Sequence, residues 1–533
     1  MRRWNGWGDT TVNYPLPASA LAYLVERLGR QKPPNDAAFD RVVAGVPQSR
    51  LSDHPLVTKD PESRARHARG QSLPDWVALR SGQPAPFPDG VAYPLTPEDV
   101  RSLLQYAQHI GASVIPYGGG TSVVGHINPL PSDRPVLTVN MSRMNALHSL
   151  DETSRLATFG AGVTGPDLEA HLRARGYTLG HFPQSFDYST LGGWIAARSS
   201  GQQSLLYGRI EDLFAGGVLE TPLGTFELPP FPASAAGPDL RHLVLGSEGR
   251  LGIITSAVVR ISPLPQREVF EAVFFADFAR GLRAVRQMVQ DRLQLSMLRL
   301  STSAETETTL RLAGHRRAAA LLERLLAMRG VGQDKCMLML GATGSHKQVQ
   351  RALRAALSVA RHHGGVTIPS SYLGRQWKRL RFRTPYLRNT LWDAGYAVDT
   401  LETAVSWDRL PTALNAIERA LQTTAEEHNA PAHIFTHVSH VYRHGASLYT
   451  TLIFPLKAEP DATVALWAAF KNAASAAIVM NGGTISHQHG VGTDHIAYLA
   501  AEKGALGLAA LQGAVAQLDP YGIMNPGKLL PVG

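Results

Sequence analysis

The run Pro116-Tyr117-Gly118-Gly119-Gly120-Thr121-Ser122 follows a short, mostly apolar stretch, Ala112 to Ile115. Successive glycines cost conformational entropy and pack nothing, so they do not belong inside a strand. They form a turn in which bare backbone N–H groups can meet an anion, and Thr121 and Ser122 add hydroxyl donors. An ordinary glycine-rich turn reads the same way, so the surroundings decide. Upstream, Thr96-Pro97-Glu98-Asp99 is a helix start: a capping hydroxyl, proline at the first position, acids in the first turn. Val100, Leu103, Leu104, Ala107 and Ile110 recur at helical spacing, and Gly111 closes the helix. This order of helix, strand and glycine loop is not the Rossmann order. Val123 also stands where the dinucleotide fingerprint has its third glycine, which disfavours a nicotinamide site.

Downstream, strands are expected at Val136 to Val139 and Leu156 to Phe159, and a helix from Gly165 to Arg175. Two further glycine clusters follow. One runs from Gly180-His181-Phe182-Pro183 to Ser189-Thr190-Leu191-Gly192-Gly193, with small residues continuing to Gly201. The other is Gly246-Ser247-Glu248-Gly249-Arg250-Leu251-Gly252, leading into Ile253-Ile254-Thr255. Each alone is a tight turn; three within one region are harder to account for that way.

With 533 residues, the chain exceeds one hydrophobic core, and a prior of roughly 150 residues per domain gives two or three. Its 44% apolar and 18% charged residues suit a globular protein. The single cysteine, Cys336, rules out an internal disulfide and a cysteine metal cluster and points to a reducing compartment; no metal site is expected. Met1 to Gly8 lacks the apolar core of a secretory signal, and no apolar run approaches the roughly 18 residues of a membrane span. The formal charge of +9 suits a phosphorylated substrate or an anionic surface. The basic residues are dispersed, without zinc-finger spacing or RNP-like aromatics, so no nucleic-acid partner is expected.

Residues 1–75 are rich in Pro, Asp, Arg and His and read as a segment wrapping a neighbouring domain, with a short helix at Leu21 to Leu28. After Pro263-Leu264-Pro265 the pattern becomes repeated strand–helix pairs: Val269 to Phe275 with Phe278 to Leu293, Cys336 to Gly341 with His346 to His363, Thr400 to Val405 with Leu410 to Glu427, and Leu448 to Phe454 with Ala462 to Met480. An antiparallel sheet with helices on one face is expected. Asn481 to Gly533 reads as a glycine-rich turn and a short tail.

These segments resemble the vanillyl-alcohol oxidase type of flavoprotein, with its PCMH-type FAD-binding domain. Pro116 to Ser122, Pro183 to Ser189 and Glu248 to Ile254 look like its three FAD-contacting segments, and Asp519-Pro520-Tyr521-Gly522-Ile523-Met524-Asn525-Pro526-Gly527-Lys528-Leu529 like its C-terminal signature. Within it the chain resembles the alkyldihydroxyacetonephosphate synthase family nearly end to end, through Trp4-Asn5-Gly6-Trp7-Gly8, Tyr207-Gly208-Arg209-Ile210-Glu211-Asp212-Leu213, Leu401-Glu402-Thr403, Trp407-Asp408 and Gly482-Gly483-Thr484-Ile485-Ser486-His487. The resemblance implies an α+β fold: an N-terminal wrapping segment (1–75), a two-subdomain FAD-binding domain (76–265), an α+β cap domain with an antiparallel sheet (266–480) and a C-terminal segment completing the flavin site (481–533).

It also implies cofactor contacts at Pro116, Tyr117, Gly118, Gly119, Gly120, Thr121 and Ser122; at Pro183, Gln184, Ser185, Phe186, Asp187, Tyr188 and Ser189; at Ala196, Ala197, Arg198 and Ser199; and at Glu248, Gly249, Arg250, Leu251, Gly252, Ile253 and Ile254. Thr121 stands where related flavoproteins carry a flavin-linked histidine, so FAD is expected to be non-covalent, with His126 the nearby exception to test.

By the same resemblance Tyr449 is the catalytic acid/base, and it needs basic neighbours or the flavin to lower a phenol pKa of about 10. His487 and His489 flank Gln488, where the synthases carry three histidines. Alternate residues of an extended segment share a face, so both are expected to look onto the flavin. Arg388 matches the substrate-phosphate arginine and Arg299 another arginine needed for activity.

The implied reaction exchanges the acyl group of acyl-dihydroxyacetone phosphate for a long-chain alcohol in ether-lipid synthesis, with the flavin an electrophile and no net redox change. The alternative is an FAD-linked oxidase or dehydrogenase of a D-2-hydroxy acid. A non-catalytic FAD-binding protein is the third reading. A phosphorylated lipid substrate, peripheral membrane contact, a homodimer and a cytoplasmic location complete the expectation.

Overall fold

The computed structural model describes residues 1–312, 316–368 and 372–531. The strand Ser113–Tyr117 lies parallel to Val136–Asn140, which lies parallel to Gly90–Ala92, and Val57–Thr58 closes the edge antiparallel. The helix Pro97–His109 begins with a capping box in which Thr96 and Asp99 satisfy each other's backbone N–H. It buries Val100, Leu103, Leu104 and Ala107 on this small sheet. The chain therefore leaves Tyr117 at the end of a parallel strand and enters the glycine run, with no helix after it.

A second, antiparallel sheet runs Leu147–Asp151, Leu156–Gly160, Ile253–Arg260, Phe214–Thr221 and Gly224–Leu228 in spatial order. The short helix Leu191–Ala197 packs on it through Leu191, Trp194 and Ile195. The glycine run and the other two glycine clusters meet where these two sheets adjoin.

The cap is a seven-stranded antiparallel sheet ordered Val366–Thr367, Arg267–Phe275, Cys336–Gly344, Met297–Ser301, His433–Tyr442, Gly445–Pro455 and Tyr396–Ser406. The helices Phe278–Gln290, His346–His362, Leu410–Glu427 and Pro460–Met480 bury one face. The other face is covered too, which corrects the expectation of helices on one side. Val273 and Phe275 point to the long helices, while Phe270, Ala272 and Phe274 point away. Those three join Met297, Met337 and Met339 under Leu322, Leu326, Leu373 and Trp377, from the helices Arg316–Ala327 and Tyr372–Leu380. Burying a side chain of this size stabilises by about 1.5–3 kcal/mol, so an apolar second face demands a cover.

Two more expectations change. The helix Pro460–Met480 is 21 residues long and apolar enough to cross a membrane by length and composition. It packs in the cap core through Leu466, Phe470, Ala474, Ala477 and Ile478. The last segment contains a long helix, Ile496–Leu518, interrupted at Gly504, whose φ is 65°.

The N-terminal residues lie against both halves of the molecule. Asn389 accepts from the Trp7 amide and donates to the Trp7 carbonyl, so Trp7 is fixed in the cap core. Arg2 donates to the Gly119 carbonyl and lies over the Tyr188 ring, 5.2 Å from its centroid. Leu24 and Leu28 pack against Leu391, Tyr396 and Ile453.

Candidate active site

A cavity runs between the glycine segments. Among the described residues, the amides of Gly118, Gly119, Gly120, Thr121, Ser122 and Val123 find no acceptor in the chain, although all six residues wall the cavity. Consecutive free amides facing a cavity form an anion cradle, which fits the diphosphate of FAD. The glycines permit close contact of backbone with backbone. A Cβ on Gly119 would lie 1.8 Å from the Tyr188 carbonyl oxygen, and one on Gly118 2.3 Å from Thr190 Oγ1. Gly249, at φ +77°, likewise presses against Pro116.

The far wall is tied by Glu248. Its carboxylate accepts from the amides of Val491 (2.5 Å) and Gly492 (2.8 Å) and stands 3.3 Å from His126 Nε2. Asn525, from the C-terminal signature, donates to the carbonyls of His126 (3.0 Å) and Glu248 (2.7 Å). Arg250 donates to the Met524 carbonyl at 2.6 Å. Residues distant in sequence thus hold one wall in place.

Of the expected cofactor residues, Pro116 to Ser122, Ser185, Ser189, Ala196, Ala197, Ser199, Glu248, Gly249, Gly252, Ile253 and Ile254 line the cavity. Pro183, Gln184, Phe186, Asp187, Tyr188, Arg198, Arg250 and Leu251 do not line it. Phe186 stacks on Phe382 (5.0 Å between centroids), and the Tyr188 hydroxyl meets that of Tyr386 at 3.1 Å. Arg198, left-handed at φ 54°, pairs with Glu211 at 2.5 Å. Leu251 belongs to the core beneath. The cavity adds Trp194, Gln488 and Asn525 to the expected lining, together with Thr190, Gly192 and Gly193 of the second glycine cluster and His126.

Tyr449 is buried on the strand Gly445–Pro455. Its hydroxyl donates to Thr400 Oγ1 at 3.1 Å. The His437 ring stacks on it at 5.1 Å, and the His489 ring meets it edge-on at 5.9 Å. Burial pushes the phenol up to about 12, with Glu402 and Asp399 adding to the rise; the Thr400 hydrogen bond and Arg388 oppose it. The expected lowering is not provided by the protein, and Tyr449 holds its proton at neutral pH.

Behind it, His437 Nδ1 meets Glu305 at 3.0 Å, and Glu305 also pairs with Arg299. Arg299 therefore has a carboxylate partner already. Among the described residues Arg388 does not: one guanidinium nitrogen donates to the Gln71 carbonyl, the plane lies 4.7 Å over Trp76, and the enclosed Nη2 has no partner.

His487 and His489 do not share a face, contrary to the extended-segment expectation. Residues 486–490 turn around the carboxylate of Glu402. Gln488 and His489 look into the cavity, while His487 Nε2 meets the Tyr442 hydroxyl at 2.6 Å and its ring lies against His440. Burial holds both His487 and His489 below the usual histidine range, so both are neutral.

Residues 88–227 match a family described as an FAD binding domain, and residues 264–529 match the C-terminal domain of FAD linked oxidases. An alkyldihydroxyacetonephosphate synthase of Dictyostelium discoideum is 30% identical, covering 99% of this chain and 93% of that protein. A solved alkyldihydroxyacetonephosphate synthase structure superposes with a TM-score of 0.83 at 27% identity, covering 99% of both chains. A probable mitochondrial D-lactate dehydrogenase of Danio rerio is 25% identical over 83% of this chain and 84% of that protein.

Proposed function

The chain belongs to the alkyldihydroxyacetonephosphate synthase family of FAD-linked oxidases, and we propose that it exchanges the acyl group of an acyl-dihydroxyacetone phosphate for a long-chain alcohol. The observation that supports this reading best is the guanidinium of Arg388. Arg388 carries an enclosed guanidinium nitrogen without a partner, suited to a phosphate dianion, and its charge acts on the Tyr449 phenol. Arg299, the other arginine suited to an acid substrate, is committed to Glu305.

FAD would be held by the free amides of Gly118 to Val123 and by Ser185, Ser189, Glu248, Gly249, Gly252, Ile253 and Ile254, and would supply an electrophilic ring nitrogen with no net redox change. Arg388 orients the substrate phosphate. Neutral His489 is the acceptor placed to take the C1 proton, and Tyr449, a phenol at neutral pH, is the donor placed to protonate the departing acyl oxygen. Environments that push two titratable groups apart assign acid and base in this way. The same two groups then act in reverse on the incoming alcohol. Peripheral contact with a membrane is part of the reading, because the alcohol is lipid-soluble and the formal charge is +9.

The test is an assay with acyl-dihydroxyacetone phosphate and hexadecanol beside a panel of 2-hydroxy acids. Ether product is expected, and Tyr449→Phe should lower turnover by about 10²–10⁴-fold with FAD retained. Anaerobic bleaching of the flavin by D-lactate or glycolate, without ether product, overturns the reading in favour of a dehydrogenase.

A further inference from the structure

Glu402 is a buried carboxylate, on the strand Tyr396–Ser406, with no lysine or arginine ion-paired to it among the described residues. In the antiparallel register it stands directly opposite Tyr449. Its Oε1 accepts from Ser486 Oγ (2.8 Å), the Gln488 amide (2.9 Å) and the His489 amide (2.8 Å), and its Oε2 from the His487 amide (3.1 Å). The Nδ1 atoms of His487 and His489 both lie 3.6 Å away. Three successive amides converging on one anion make a nest, the same device as the glycine cradle but filled by the protein's own side chain. Ser486 locks it, since its hydroxyl oxygen also accepts from the amides of His489 (3.2 Å) and Gly490 (2.9 Å).

Every group facing the carboxylate at hydrogen-bond distance is a donor, so the arrangement needs an acceptor on both oxygens. A carboxylate provides this and a carboxamide does not, because its NH₂ would face an amide N–H. The turn this builds sends Gln488 and His489 to the cavity wall and sets the His489 ring against Tyr449. Loops carrying catalytic groups need such support, because a displacement of about 1 Å can cost about a hundredfold in rate.

We infer that Glu402 is a positioning residue for the reaction: its carboxylate holds residues 486–490 so that His489 faces Tyr449 and, with Gln488, walls the flavin cavity. This rests on the reading that Tyr449 and His489 act at the flavin.

The test compares Glu402→Gln and Ser486→Ala with the wild type as purified holoenzymes, alongside Tyr449→Phe and His489→Ala. Glu402→Gln is expected to shift the visible flavin band and to lower kcat about a hundredfold with KM changed less than threefold. Ser486→Ala, which keeps the anion and removes one of its donors, should move both readouts the same way by about three- to tenfold in kcat, and it carries the test if Glu402→Gln does not yield holoenzyme. A wild-type spectrum and kcat in these variants, with Tyr449→Phe and His489→Ala inactive, overturns the role of Glu402 alone. Full activity in Tyr449→Phe and His489→Ala overturns the functional reading, and with it the positioning.

Discussion

Gly119→Ala probes whether the glycine run exists for contact between backbones. The new Cβ would sit 1.8 Å from the carbonyl oxygen of Tyr188, 2.7 Å from its carbonyl carbon and 3.0 Å from Cα of Ser189. Non-bonded carbons rest about 3.5–4.0 Å apart, so the loop and the facing turn must separate by roughly 1.5–2 Å. The clashing atoms all belong to the backbone, and no rotamer change relieves them. Overpacking of this kind costs about 1–3 kcal/mol. The strain falls on the cradle whose free amides face the cofactor, so FAD affinity should drop about 5- to 150-fold. Deflavinated protein titrated with FAD, followed by flavin fluorescence, measures this directly. Gly332→Ala is the control, because a Cβ there meets nothing within 4 Å. If Gly119→Ala binds FAD within twofold of wild type and melts at the same temperature, the backbone-contact argument is wrong.

Other consequences can be measured independently. Thr121 lines the cavity in place of a histidine, and His126 Nε2 is turned toward Glu248. Acid precipitation should therefore release all FAD into the supernatant; yellow pellet would show a covalent link. Burial pushes His181 and His440 down to about 3 and His67 and His433 to about 4, so these rings fold neutral. Their unfolded forms take up protons first as pH falls below about 6.5, so stability is complete above that value and is lost on the acid side, by about 1.4 kcal/mol per histidine for each pH unit. A melting temperature that stays flat between pH 7.5 and 5 would contradict this. Asn389→Ala strands the Trp7 amide and carbonyl, both in buried hydrogen bonds. It should cost about 1–3 kcal/mol for each group left unsatisfied and lower the thermal transition without altering the flavin spectrum.

Much of the frame was legible because it is written locally. The helix start at Thr96 to Asp99 and the periodic strand–helix pairs of the cap need only neighbours in the chain to specify them. The pair at Leu410 to Glu427 coincides with the observed helix Leu410–Glu427. The helix Ile496–Leu518 was missed for a local reason as well: residues 504–518 carry three glycines and no charge to mark a polar face, so the stretch reads as a turn and tail. The second cover on the cap sheet was hidden because an all-apolar strand does not say how many faces it buries.

For the site, the sequence by itself determined which glycine segments come together, since only backbone free of Cβ atoms can pack as Gly118, Gly119 and Gly249 do. It also located Tyr449, Arg388 and the two histidines through their resemblance to a family. Only the tertiary structure decided how these groups act. It committed Arg299 to Glu305 and left Nη2 of Arg388 without a partner among the described residues, and it pushed Tyr449 up rather than down through burial. It also turned His487 away from the cavity, because a carboxylate 85 residues earlier gathers the amides of that segment. Such choices depend on which donors and acceptors meet across the fold, and no local pattern carries that information.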